Sequence, residues 1–175
     1  MSIFQDAVDY AETLRKDRAK PKIKGVTRRV TADQVLRKLD ALGLNVNSER
    51  TLQRYVKDKL IPMPDRKSLG RGKGRITDYA KETPAEFYAS YKLRHEYRIR
   101  SSDVISRCRE KALIMENSPD CPGRSLAEWD FSDDPQVFFE VKCGELWLME
   151  KHKALHGSKD VDCEVCKYLR GDMFY

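Results

Sequence analysis

Four residues near the end of the chain carry side chains that bind transition metals. His152 and His156 are four positions apart, and Cys163 and Cys166 form a Cys-x-x-Cys pair. Two histidines at this spacing share one face of a helix, and two cysteines separated by two residues converge in a tight turn. Together they offer the four nitrogen and sulfur ligands of a tetrahedral zinc site. The sequence therefore predicts a structural Zn²⁺ site, in which Cys143 could replace one histidine; the alternatives are unliganded thiols or a redox-active cysteine pair.

A second group of residues, in the first half of the chain, has side chains suited to DNA. Arg50 and Arg54 are one helical turn apart, so one can read a guanine with two hydrogen bonds while the other holds a phosphate. Residues 62–76 combine glycines with basic residues, which lets the backbone approach a phosphate chain while the cations neutralise it. Tyr55 either contacts the DNA backbone or is buried between two helices. The predicted DNA contacts are Arg50, Thr51, Arg54, Tyr55, Lys57, Arg66, Lys67, Arg71, Lys73 and Arg75.

The charges of the chain are divided unevenly between its two halves. Residues 1–100 hold 24 lysines and arginines against 13 acidic residues, whereas residues 101–175 hold 10 against 15. The first part therefore has a net charge of +11 and the second a net charge of −5. Such an asymmetry favours a nucleic acid as the partner of the basic part.

Two short amphipathic helices are predicted to hold the arginine pair. Thr31 and Gln34 fit a capping box at the start of the first helix, and Gly43 suits its end. The second helix is expected to begin at Asn47 or Ser48. Two helices joined by a tight turn are typical of a helix-turn-helix unit, and the glycine-rich run that follows fits a β-hairpin wing.

The rest of the chain is predicted to be helical. Residues 83–86 fit another capping box, and a longer helix is expected from Asp134 to about Gly157. The fold class is therefore mainly α, with a small β-hairpin wing and a helical C-terminal region. The predicted divisions are an N-terminal helix and basic linker at 1–29, a DNA-binding domain at 30–116, and a C-terminal region with a possible zinc knuckle at 117–175.

Residues 30–113 resemble the MerR-type DNA-binding domain. This resemblance implies a winged helix-turn-helix fold in which helix 48–58 reads the major groove and wing 62–76 contacts phosphates or the minor groove. The sequence departs from the family where Lys59 replaces the usual glycine, and the family's long dimerisation helix is not evident. The matching stretches are VTADQVLRKL, SERTLQRYVKDKLIP, GRITDY and AEFYASYKLRHEYRIRSSDVISRC.

These features predict a DNA-binding transcriptional regulator. We expect a homodimer in the bacterial cytoplasm, associated with the nucleoid, because no apolar run is long enough to span a membrane and proteins of this class commonly dimerise. No arrangement of carboxylates or nucleophiles indicates an enzyme. The alternatives are an architectural or recombination accessory factor of a phage or mobile element and, in a different class, a zinc-stabilised protein–protein adaptor.

Overall fold

A computed structural model describes residues 29–117, 133–157 and 163–169. The predicted N-terminal helix and nearly all of the basic linker lie outside these residues. The described part is mainly helical and contains a small three-stranded antiparallel sheet, which confirms the predicted mainly α class. Its helices are α1 Ala32–Ala41, α2 Glu49–Lys57, α3 Thr83–His95, α4 Ser102–Asn117, α5 Pro135–His156 and α6 Glu164–Leu169, and its strands are β1 Val30–Thr31, β2 Asp65–Ser68 and β3 Arg75–Tyr79.

The first helix begins and ends where the sequence predicts. The backbone N–H of Thr31 donates to Gln34 Oε1 at 2.9 Å, and the backbone N–H of Gln34 donates to Thr31 Oγ1 at 3.3 Å. These two bonds form the capping box and satisfy donors that the first turn of a helix leaves free. After the helix, Gly43 adopts a φ of +82°, and the N–H of Leu44 donates back to the Leu39 carbonyl at 2.9 Å.

The second helix ends in the same way, without a glycine. It begins at Ser48, whose Oγ accepts from the N–H of Arg50 at 3.2 Å. At its end Lys59 adopts a φ of +58°, and the N–H of Leu60 donates to the Tyr55 carbonyl at 2.9 Å. Lys59 therefore holds the left-handed conformation that glycine usually supplies at this point of a helix.

The glycine-rich run forms the predicted β-hairpin. β2 and β3 pair antiparallel in the register Asp65 to Asp78 and Ser68 to Arg75, and β1 pairs with the other edge of β3. Gly70, Gly72 and Gly74 in the connecting loop all have positive φ values, which residues with a side chain rarely adopt.

The predicted capping box at 83–86 is wrong. The residue that caps α3 is Glu82, and it makes no side-chain hydrogen bond to the helix. Glu86 is buried and accepts hydrogen bonds from Arg109 Nε at 2.8 Å and Nη2 at 2.6 Å. A buried carboxylate needs a cationic partner, and the guanidinium on α4 supplies it more effectively than an exposed cap could.

Helix α5 packs against α3 and α4 and forms a bundle with them. It begins at Pro135 after the capping residue Asp134 and ends before Gly157, as predicted. Trp147 and Leu148 are fully buried and belong to the same core as the buried side chains of α1 and α2. The C-terminal region thus contributes directly to the packing of the first part. No helix in the described ranges combines the length and the apolar character that a membrane crossing requires.

Candidate nucleic-acid interface and metal centre

Helix α2 presents one buried and one exposed face. Leu52 and Tyr55 are buried, whereas the side chains on the opposite face are exposed. The predicted contact Thr51 is half-buried at the border between the two faces. The exposed residues of the helix are Glu49, Arg50, Gln53, Arg54 and Lys57, which include three of the predicted DNA contacts. Their spacing places them side by side along the helix.

Tyr55 is not part of this exposed face. Its side chain is 2% exposed, and its ring stacks on Phe87 with centroids 4.1 Å apart. Burial raises the pKa of Tyr55, although the nearby charges of Arg94 and Arg54 oppose the change. Of the two roles that the sequence leaves open for Tyr55, the structure shows burial against the bundle, and a DNA contact is ruled out by the packing.

The end of α2 is fixed to the bundle by hydrogen bonds. Ser90 Oγ donates to the Leu60 carbonyl at 2.9 Å and accepts from Trp147 Nε1 at 2.9 Å. Arg109 Nη1 donates to the Lys59 carbonyl at 3.4 Å. The helix is therefore held at its C-terminal end by side chains from α3, α4 and α5, which sets the direction of its exposed face.

The two faces of the hairpin differ in charge. Because side chains alternate along a strand, Arg66 and Arg75 lie on one face and Lys67 on the other. Lys67 Nζ is 4.0 Å from Asp78 Oδ2, and Asp65 on that same face pairs with Arg29. Arg66 and Arg75 thus form the more strongly basic face of the hairpin. Arg71 and Lys73 are exposed at the hairpin tip.

Tyr79 of β3 lies on the basic face of the hairpin and is affected by charges from both α2 and β2. Tyr79 follows Arg75 on that face of β3 and is fully buried. Burial raises the pKa of Tyr79; the charge of Glu49 raises it further, whereas that of Arg66 lowers it. The first residue of α2 and a residue of β2 therefore both lie close to one tyrosine hydroxyl.

The four predicted metal ligands come together at the end of α5. One potential ligand atom from each of His152, His156, Cys163 and Cys166 lies within 4.8 Å of the other three. His152 Nδ1 is 3.5 Å from Cys163 Sγ and 3.7 Å from Cys166 Sγ. A tetrahedral zinc site with metal–sulfur bonds of about 2.3 Å and metal–nitrogen bonds of about 2.0 Å has nitrogen–sulfur edges of about 3.5 Å. The cluster therefore has the donor atoms and spacing to hold a metal ion.

The two histidines of the cluster have different surroundings, and each of these favours metal binding. His152 is buried, and its second ring nitrogen, Nε2, is 2.8 Å from Glu116 Oε1. His156 Nε2 is buried and has no hydrogen-bond partner among the described residues, as suits a ligand atom. Burial and the neighbouring His152 lower the pKa of His156, which favours the neutral imidazole that binds metals.

A buried network of charges adjoins the metal cluster. Lys151 Nζ is 2.7 Å from Glu116 Oε2 and 3.5 Å from Glu86 Oε1. Burial alone would raise the pKa of Glu116, but the hydrogen bonds and charges of His152 and Lys151 lower it to about 2. Glu116 is therefore ionised. It links α4 to α5 through its contacts with Lys151 and His152.

Cys143 lies outside the cluster, so it does not replace a histidine. It is buried on α5 beside Cys108 of α4, and the contact between the two thiols raises the pKa of Cys108 and lowers that of Cys143. The alternative ligand set that the sequence left open is therefore wrong.

Two residues of these sites were missed by the sequence analysis. Gln53 lies on the exposed face of α2 between the two arginines, and its position three residues after Arg50 could have identified it. A glutamine amide reads adenine in the major groove. Glu116 gave no comparable signal, because it meets His152 only through the packing of α4 against α5.

Comparison with protein-family models, with curated proteins and with solved structures gives no significant match for this chain. The MerR-type resemblance of residues 30–113 therefore stays a prediction.

Proposed function

We propose that this chain is a double-stranded DNA-binding transcriptional regulator with a MerR-like winged helix-turn-helix, which acts as a homodimer on the bacterial nucleoid and is not an enzyme. One observation carries this proposal: the exposed face of α2 bears Arg50, Arg54 and Lys57, and the hairpin that follows it in the chain has a basic face with Arg66 and Arg75. A helix of about 10 Å diameter fits the major groove, and a hairpin beside it reaches the flanking backbone.

The exposed residues of α2 divide into two roles in this proposal. One of Arg50 and Arg54 spans the two acceptors of a guanine while the other holds a phosphate, and Gln53 can span the donor and acceptor of an adenine. Lys57, in the last turn, meets a phosphate. The negative charge of Glu49 repels the DNA phosphates and so limits how deeply the start of the helix enters the groove.

The hairpin supplies contacts that do not depend on sequence. Arg66 and Arg75, on the basic face of the hairpin, bind the phosphates next to the site that the helix reads. Arg71 and Lys73 at the tip reach further along the duplex and enter the minor groove or follow the backbone. Lys67 is partly neutralised by Asp78, so it contributes less than the other cations.

Two alanine variants test this division of roles. Duplexes selected from a random pool supply the sequence for the titrations. Arg54→Ala is expected to weaken binding to the selected duplex by about 1–3 kcal/mol and to relax the base preference at one position. Arg71→Ala is expected to weaken binding to all duplexes alike and to reduce the slope of log affinity against log salt by about one.

Lys153→Ala is the matched control for these variants. Lys153 is an exposed cation on α5, outside the proposed surface, and its loss changes the net charge by the same amount. It is expected to leave both affinity and salt slope close to those of the native chain. Equal effects of all three substitutions, or a native chain that does not bind duplex DNA, would contradict the proposed surface.

The cluster at the end of α5 is proposed to hold a structural Zn²⁺. Two thiolates and two imidazoles complete a tetrahedron, which leaves no position open for a substrate. Both cysteines come from the short segment that includes α6, so the ion would fasten this segment to α5. The bound metal stabilises the folded chain because its ligands are not assembled when the chain is unfolded.

Metal analysis of protein purified without chelator tests the zinc site. The native chain is expected to carry about one zinc ion, and Cys163→Ser is expected to lose it. Cys108→Ala is the control, because it removes a thiol that is buried outside the cluster. Loss of zinc from the control and not from Cys163→Ser would overturn the assignment, as would a native chain free of metal.

A further inference from the structure

Glu116 lies where it can decide which nitrogen of His152 binds a metal ion. Nδ1 of the ring faces the two thiols of Cys163 and Cys166, while Nε2 faces the Glu116 carboxylate at 2.8 Å. A neutral imidazole has one nitrogen that accepts and one that carries the proton. A carboxylate at Nε2 keeps the proton on that nitrogen and leaves the lone pair on Nδ1 for the metal.

The Glu116 carboxylate is itself held in a fixed position. Its second oxygen accepts from Lys151 Nζ at 2.7 Å, and the Lys151 side chain is fully buried. The same ammonium group lies 3.2 Å from Glu82 and 3.5 Å from Glu86, both near the start of α3. The orientation of the His152 ring thus depends on contacts among α3, α4 and α5, which together brace one side of the cluster.

We propose that Glu116 is the positioning residue of the metal centre, which it serves by fixing His152 in the form that ligates through Nδ1. This inference rests on the zinc site proposed above. Glu116 touches no metal itself; it acts through the imidazole, in the way that carboxylates behind histidine ligands orient the ring and increase its basicity. Loss of such a partner costs about 10- to 100-fold in metal affinity.

Titration of the metal-free chain with Co²⁺ tests the inference, because the visible absorption of this ion reports tetrahedral coordination by thiolates. Competition with a chelator of known affinity then gives the affinity for Zn²⁺. Glu116→Gln is expected to bind one ion per chain with an affinity lower by about 10- to 100-fold. Glu116→Ala is expected to bind at least as weakly.

Glu82→Gln is the matched control. Glu82 also contacts Lys151, but it does not touch His152 and its side chain is half exposed. We expect its metal affinity to equal that of the native chain, whereas a general disturbance of the buried charges would weaken both variants. Thermal unfolding of each metal-free variant shows whether it is folded before the titration.

The outcomes separate this inference from the proposed metal site. Native affinity in Glu116→Gln, or an equal loss in Glu82→Gln, overturns the role of Glu116 and leaves the zinc site intact. Failure of the native chain to bind Co²⁺ or Zn²⁺, or unchanged binding by Cys163→Ser, overturns the site itself. A selective loss in the Glu116 variants supports both.

Discussion

Lys59 has a backbone conformation that costs free energy in any residue with a side chain. It has a φ of +58° at the end of α2, whereas Gly43 has a φ of +82° at the equivalent point after α1. The two helix ends have the same pattern of backbone hydrogen bonds, so the comparison isolates the residue type. Lysine at this position keeps a cation beside the proposed DNA-binding face, although its left-handed backbone conformation is strained.

We therefore predict that Lys59→Gly stabilises the chain. Removing the side chain from a left-handed position relieves strain of about 1–2 kcal/mol in the folded chain. Because glycine also gives the unfolded chain more conformational freedom, the expected net increase in the free energy of unfolding is about 0.5–1 kcal/mol. The measurement is urea denaturation at pH 7. Gly43→Ala is the reciprocal control: a Cβ there meets nothing within 4 Å, so its expected loss of about 1 kcal/mol reports the backbone alone. A destabilised Lys59→Gly would contradict the predicted strain.

Glu140 makes the stability of the helical bundle depend on pH in the acidic range. It accepts hydrogen bonds from Arg107 Nε at 2.6 Å and Lys111 Nζ at 2.7 Å, and so joins α5 to α4. Burial alone would raise the pKa of Glu140, but the hydrogen bonds from Lys111, Arg107 and Gln136 lower it overall. Since the folded pKa lies below the unfolded value of about 4.3, the stabilisation is complete above that value and is lost as the pH falls through the folded pKa.

Glu140→Gln is therefore expected to destabilise the chain by about 1–3 kcal/mol at pH 7, and the gap should close below about pH 4. Urea denaturation from pH 3 to pH 7 measures it. Glu96→Gln is the control, because Glu96 also has a lowered pKa through Lys92 but is fully exposed, so water screens its pair and the gap should be much smaller. A gap in Glu140→Gln that does not change with pH would show that the carboxylate charge is not responsible.

Helix α5 packs closely against the backbone of α4 at Gly144. A Cβ added to Gly144 would lie 2.9 Å from the Cys108 carbonyl oxygen and 3.3 Å from the Ala112 nitrogen, and both of these are backbone atoms. Gly144→Ala is expected to destabilise the chain by about 1–3 kcal/mol through this overpacking, despite the better helix propensity of alanine. Urea denaturation measures the effect. A stabilised variant would show that the two helices are further apart than described.

The elements that could be predicted from the sequence are those that depend on near neighbours. The capping box of Thr31 and Gln34, the cap at Ser48 and the start of α5 at Asp134 each involve residues two or three apart, so their types and spacing suffice. The capping box at 83–86 fails because Glu86 bonds to Arg109, 23 positions away. Glu116 went unrecognised for the same reason, since His152 is 36 positions distant along the chain.

The candidate sites could likewise be predicted where they depend on near neighbours in the sequence, and not where they depend on distant ones. The metal cluster could be predicted because its ligands occur as two short pairs, and the exposed cations of α2 because they recur at the spacing of one helix face. The burial of Tyr55 could not be decided, because both faces of a two-helix unit accept a tyrosine until the position of Phe87 on α3 is known. The pairing of Lys67 with Asp78 likewise depends on the strand register.

Exposed apolar side chains on α5 support the proposed homodimer. Phe138 is 43% exposed and Phe139 is 48% exposed, and Met149 lies further along the same helix with 39% exposed. At helical spacing Phe138 and Met149 share a face, and Phe139 borders it. Large exposed apolar side chains such as these are typical of protein interfaces. A second copy of the chain is the partner that also suits the proposed DNA-binding surface, because two copies related by a two-fold axis would read two half-sites about 10 base pairs apart.

We expect the native chain to sediment as a dimer and Phe139→Glu to sediment as a monomer at the same concentration. A charge placed in an apolar interface stays unpaired and opposes association. Sedimentation equilibrium measures the oligomeric state, and Met63→Glu is the control, because Met63 is exposed outside α5 and its substitution should leave the dimer intact.

Binding to DNA then shows whether dimerisation serves recognition. The monomeric variant should lose affinity for a duplex with two half-sites while it keeps the native affinity for a single half-site. A dimer that persists in Phe139→Glu would place the interface elsewhere, and equal loss on both duplexes would show that the substitution disturbs the DNA-binding surface itself.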